Sequence, residues 1–143
     1  MIWSISDIMK SILELDPIFK AIRKVISLSR HNAPAGWGSN DWSQYYKAKM
    51  DDNPQYALIV AWGILEKEAK QEFGSALRNS GEGRNASICN NAADRVGMNS
   101  SEKRKLKSAM KKRNQAAHGE RVDIFWSDVD IVIDVAYRLH QLH

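Results

Sequence analysis

The chain has 143 residues, 43% apolar and 27% charged, with 21 Lys and Arg against 17 Asp and Glu, one Cys and three Pro, the composition of one soluble globular domain. The lone Cys89 excludes an internal disulfide and any Cys-rich zinc site, so an ordinary core must hold the fold, and at this length one buries about two thirds of the unfolded surface. No apolar run approaches the roughly 18 residues that cross a bilayer, and the opening Met1-Ile2-Trp3-Ser4-Ile5-Ser6-Asp7 lacks the layout of a secretory signal, so a cytoplasmic protein with no membrane partner is expected.

Taken in chain order, apolar spacing is helical almost throughout, and no period-two alternation argues for strands. Ile8, Ile12 and Leu15 mark a first short helix, and Asp16-Pro17 opens a second through Phe19, Ile22, Val25 and Ile26 to about Arg30. A single kinked helix fits the same residues. Residues 31–54 hold Pro34, Gly36, Gly38 and Pro54 and read as a long connection with one short turn of helix around Trp42 to Lys49. Asn53-Pro54 opens the best-marked helix, with Leu58, Trp62, Leu65, Ala69, Phe73 and Ala76 as its stripe and an end near Asn79.

Ser80-Gly81-Glu82-Gly83 reads as a loop, and a short helix from about Asn85 to Val96 is closed by Gly97. Asn99-Ser100-Ser101-Glu102 fits a capping box and starts a helix to about Ala117, with Gly119 beyond it. Ser127-Asp128 caps a last helix that buries Val129, Val132, Val135, Ala136 and Leu139. The expected product is an all-α antiparallel bundle of about five to six helices in one domain. Within it, residues 1–52 form a helical extension and loop, and residues 53–143 form the main bundle.

Charge is unevenly placed along this chain. Residues 1–60 carry seven basic and six acidic groups, 61–98 five and five, and 119–143 two and five, whereas 99–118 carry seven against one. The basic groups are Lys103, Arg104, Lys105, Lys107, Lys111, Lys112 and Arg113, on a helix whose apolar stripe is Leu106, Ala109, Met110 and Ala117. A solvated face and phosphate binding both account for the lysines. Arg113 is different: seven positions after Leu106, it points within roughly 20° of the buried stripe, where a permanent cation needs an anion or a polar network.

Asn114 lies four residues before His118 and shares its face, while Arg113 and His118 are roughly 140° apart on a continuous helix. The two therefore cooperate only if the Arg side chain wraps round, the helix ends at His118, or a second subunit completes the site. A buried bridge plus a helix-end His is the structural alternative.

The run Arg113-Asn114-Gln115-Ala116-Ala117-His118-Gly119 resembles the motif of the HEPN superfamily, small α-helical domains common in bacterial toxins and antiviral systems. The motif sits at the end of a long basic helix with one amphipathic helix after it, and the Trp62-Gly63-Ile64-Leu65-Glu66 helix resembles the antiparallel partner helix of that fold. The similarity covers roughly residues 53–143.

The resemblance implies a homodimer that cleaves RNA without a metal or other cofactor, at a cleft lined by Arg and His of both subunits. His118 is then the general base or acid on the ribose 2′-OH or the leaving 5′-oxygen. Arg113 holds the scissile phosphate, Asn114 orients His118 or the phosphate, and the products are a 2′,3′-cyclic phosphate and a 5′-hydroxyl. Arg104, Lys107, Lys111 and Lys112 are the candidate RNA-binding cations. The setting implied is a toxin or defence system with an antitoxin or other partner protein. HEPN toxins paired with a minimal nucleotidyltransferase carry a Tyr two residues after the His as AMP acceptor, and here that position is Glu120. Many HEPN domains are instead non-catalytic RNA-binding or dimerisation modules.

The remaining candidates are structural. Trp37, Trp42, Tyr45 and Tyr46, beside Lys47 and Lys49, have the make-up of a base-stacking surface, but aromatics in such a loop are expected to anchor it to the bundle. His31, His140 and His143 have no partners at metal-ligand spacing, the last two reading as a solvated tail, so no metal site is expected. Gly81-Glu82-Gly83 reads as a turn, Cys89 as a buried thiol, and Glu66 and Glu68 as surface charges, with Glu66 facing the motif as an alternative.

Overall fold

The computed structural model of the chain describes residues 39–77 and 81–142, together with Ser4 and Ile5, and helical periodicity carries through: residues 39–142 hold five α-helices, and no described residue lies in a strand. These are α1 (Ser39–Met50), α2 (Pro54–Phe73), a 3-10 turn (Gly74–Ala76), α3 (Gly81–Arg95), α4 (Ser100–Ala117) and α5 (Trp126–His140). The chain divides into two compact units, Met1–Ala33 and Pro34–His143, and all five helices belong to the second. The helices expected before Arg30, and also His31, Trp37 and His143, lie outside the described residues.

Capping chemistry sets most boundaries. The Asn53 side chain accepts from the Tyr56 amide at 3.1 Å, and Pro54 fills the first helical position, where no amide is needed. α2 stops before the expected Asn79 because Gly74 takes φ +52°, a conformation only Gly adopts without cost, and Ala76 falls in the exposed turn that follows. α3 begins at Gly81, so the expected loop 81–83 is instead its first turn. α5 begins one residue before the expected cap. Asp128 sits at its third position, and its carboxylate accepts from the Phe125 amide at 2.9 Å. The connection expected to hold one helical turn contains the full 12-residue α1, because Tyr45 and Ala48 bury against the bundle. Tyr45 thus anchors, as expected of that aromatic cluster, with Trp42 beside it at 5.8 Å between rings.

Side-chain pairs give the directions of the helices. α2 and α5 run parallel: the Trp126 indole donates to Asp52 at 2.7 Å near one end, and His140 Nδ1 lies 3.0 Å from Glu68 Oε1 near the other. α4 runs against α5, through Lys112 with Asp128 at 2.8 Å and Arg138 with Glu102 at 3.5 Å. It also runs against α3, through Lys103 with Asp94 at 2.8 Å and Cys89 Sγ with Met110 Sδ at 3.6 Å. Between them lie the fully buried Leu58, Trp62 and Leu65 of α2, Ile88 of α3, Leu106 of α4, and the expected valines and Leu139 of α5.

Two sequence expectations are overturned here. Glu68 is only 5% exposed and not a surface charge, and His140 is half-buried against it and not part of a solvated tail. A carboxylate next to the Leu65 and Ala69 stripe is drawn inside when helix packing brings it a polar partner.

Burial pushes the Cys89 thiol up from an ordinary 9.0 to about 12, with Lys107 pulling weakly the other way, and pushes the Tyr45 hydroxyl up in the same sense. The native thiol should therefore resist alkylation at about pH 8 and react only on unfolding. The sign of the linked stability follows. Below pH 9.0 both states hold the proton and the contribution is fully present; above it the unfolded chain ionises first, and stability is lost as pH rises towards 12. Urea midpoints between these limits should fall less steeply for Cys89→Ala. Rapid alkylation of the native protein, or an equal fall in both proteins, is the contrary result.

Candidate functional site

The site is built on α4, whose two ends are both fixed locally. Asn99 and Glu102 form the reciprocal capping box expected from the sequence, at 2.9 and 3.3 Å. At the far end the Gly119 amide reaches the Ala116 carbonyl at 3.1 Å and the Glu120 amide reaches Gln115 at 2.9 Å, the two bonds of a Schellman motif. That motif requires the left-handed backbone Gly119 supplies, at φ +76°. The helix consequently ends at His118, which is its C-cap residue, exposed, with no ring hydrogen bond or ion pair among the described residues.

Helical spacing sorts the rest of the motif by face. Arg104, Lys107, Lys111, Asn114 and His118 fall within roughly 80° of one another around α4, at 100° per residue. Arg104, Lys107 and Lys111 are exposed and make no ion pair among the described residues. Lys112 departs from this group: it is half-buried, bonded to Asp128 at 2.8 Å and stacked over the Phe125 ring at 4.9 Å, so it joins α4 to α5. Arg113 points to the interior side, as its offset from Leu106 requires, and is half-buried.

Arg113 does wrap round, and what it meets is Asn114. Its Nη1 donates to Asn114 Oδ1 at 3.3 Å, and the same oxygen accepts from Asn85 Nδ2 of α3 at 2.9 Å. Asn85 Oδ1 in turn accepts from the indole Nε1 of Trp62 at 3.3 Å. Trp62 is 1% and Asn85 9% exposed, so the relay begins in the core. Arg113 Nε is wholly buried and finds no acceptor among the described residues. Within one chain, then, the fold joins Arg113 to Asn114 but brings neither side chain into a bond with His118. Any acceptor for Arg113 Nε therefore lies outside the described residues.

Sequence reasoning missed Asn85 and Trp62. The available signal was a Trp in the middle of a buried stripe, since an indole N–H taken into a core needs an acceptor. Glu66 lies 3.9 Å from Arg84, the residue before Asn85.

Two concave surfaces lie beside the motif's end, with none of the α4 cations in their lining. A groove of about 500 Å³ is lined by Asp51, Asp52, Asn53, Pro54 and Gln55 and by Val122 to Phe125. A second, of about 560 Å³, is lined by Gln55 and Gly119 to Asp123. The carboxylates in both linings make them poor seats for a phosphate. No group of metal-ligating side chains occurs among the described residues.

Replacing Arg113 by Met removes a buried donor without an acceptor, worth about 1–3 kcal/mol, together with one long hydrogen bond of opposite effect. Arg113→Met should leave stability in urea unchanged or raise it by up to about 1 kcal/mol; a loss of more than that contradicts the burial of an unsatisfied Nε. No protein-family model matches this chain, and neither the curated proteins nor the solved structures contain a match to it.

Proposed function

We propose that the chain is a metal-independent endoribonuclease of HEPN type, working as a homodimer in a toxin or antiviral defence setting, with an antitoxin or other defence protein as a further partner. The observation that carries this reading is the end of α4. There an Arg113–Asn114 pair with a buried donor stands one helical turn from an exposed His118, at the head of a row of exposed cations, and neither that donor nor those cations have a partner among the described residues. The antiparallel course of α2 against α4 and the amphipathic α5 following the motif agree with the resemblance drawn from the sequence.

In the proposed reaction the ribose 2′-oxygen attacks the adjacent phosphorus and the bond from phosphorus to the 5′-oxygen breaks. His118 removes the 2′ proton or supplies one to the leaving oxygen, and the His118 of a second copy takes the other role. Arg113 has a donor to spare for the phosphate and stabilises its developing charge. Asn114 Oδ1 is already committed, so its amide N–H groups are what it offers to substrate. Arg104, Lys107 and Lys111 attract the RNA backbone; Lys112 has a structural post, and its share in binding is secondary.

The separation of Arg113 from His118 within one chain favours a second reading, a non-catalytic RNA-binding or dimerisation module. RNA incubated with the purified protein in EDTA distinguishes the two. The nuclease reading expects cleavage to a cyclic phosphate, a loss of about 10²–10⁴-fold in His118→Ala, and retained binding. RNA that is bound but intact, or equal cleavage by His118→Ala, overturns it. Arg104→Ala, Lys107→Ala and Lys111→Ala should each lower the slope of log affinity against log salt by about 0.7, as for single strands.

A further inference from the structure

The hydrogen-bond relay behind the motif has a polarity that its chemistry determines. An indole N–H is a donor only, and so is a guanidinium. Trp62 at one end therefore takes the oxygen of Asn85, which turns the Asn85 N–H₂ towards Asn114. Asn114 must answer with its oxygen, and Arg113 at the other end requires that same oxygen. Amide orientation, which geometry alone often leaves open, is here fixed twice and in agreement.

We infer that Asn85 and Trp62 are positioning residues for the α4 site: they set which end of the Asn114 amide faces substrate and hold the Arg113 guanidinium through it. The inference rests on the ribonuclease reading for its catalytic consequence, though not for the relay itself. Three helices contribute, Trp62 from α2, Asn85 from α3, and Arg113 and Asn114 from α4, so the relay also ties the site to the packing of the bundle. Neither Asn85 nor Trp62 is exposed enough to act on RNA directly.

Asn85→Asp tests this with a substitution of nearly equal shape. The carboxylate still accepts from Trp62 but has no donor for Asn114. The Asn114 amide then turns over, and Arg113 loses its acceptor. Two measurements on the full chain read the result. Side-chain ¹H–¹⁵N spectra without RNA should show the Asn114 amide and Arg113 Nε–H resonances displaced in Asn85→Asp. In cleavage assays on a single-stranded RNA, kcat should fall on the order of 100-fold, the scale of misplaced catalytic groups, with KM little changed because the exposed cations remain. Trp62→Phe, which keeps a buried ring but removes the indole donor along with part of the ring volume, should move both readouts in the same direction and serves where Asn85→Asp does not fold. A folded variant with unmoved Asn114 and Arg113 resonances, or with unchanged kcat, overturns the positioning role. If wild-type protein leaves RNA intact, the ribonuclease reading fails and the spectra alone decide whether the relay positions the pair.

Discussion

The orientation of Arg113 and Asn114 on α4 depends on a buried indole N–H that must find an acceptor. Trp62 lies in the core, where an unpaired donor costs about 1–3 kcal/mol, and Asn85 is the group that meets it. Once that bond is made, the remaining choices are forced. Asn85 has only its N–H₂ to give, Asn114 can receive it only with oxygen, and Arg113 can only donate to that oxygen. A core-packing requirement on α2 is thereby converted into the orientation of two polar side chains on α4. Such networks specify one arrangement strongly when every member is satisfied. Here every link is satisfied up to Arg113, whose Nε finds no acceptor among the described residues.

α4 separates its tasks by angle. Leu106, Ala109 and Ala116 face the core, Arg104, Lys107 and Lys111 face out, and Asn114 lies on the seam between them. Lys112 is only one residue from Lys111, yet the 100° step carries it to Asp128 and Phe125, where it fastens α5. A uniform basic helix in the sequence is thus two populations in the fold, one spent on packing and one left as charge. Gly119 completes the arrangement. Had a residue without its left-handed freedom stood there, the Schellman bonds would not form and His118 would not be presented at an exposed helix end.

What could be read from the sequence was what local rules decide. The bounds of α4, the Asn99 box, the buried face of α5 and the inward aim of Arg113 each follow from residues within one or two turns, and each is found as read. What escaped depends on residues far apart in the chain. Asn85 meets Trp62 and Asn114 across 23 and 29 positions, and Glu68 meets His140 across 72. No periodicity reports such a pairing. α1 was underestimated for the same reason, since burial of Tyr45 and Ala48 against the bundle, and not propensity within a Gly and Pro rich stretch, lengthens it.

The electrostatics around His118 give the proposed site a direction. On one side of it, along α4, stand Arg104, Lys107 and Lys111; on the other, the loop from Gly119 leads to grooves lined by Glu120, Asp123, Asp51 and Asp52, with Arg121 as the lining cation. Under the ribonuclease reading, a phosphodiester strand is attracted along the helix and opposed beyond its end. The strand's charge therefore changes surroundings at the residue proposed to transfer the proton. Under the same reading Arg113 adds a local term: its guanidinium, bonded to Asn114 and with no acceptor for Nε among the described residues, has further N–H groups to offer a phosphate. In that reading the exposed cations of the face draw the strand in, and the half-buried Arg113 marks the phosphate that comes to lie beside His118.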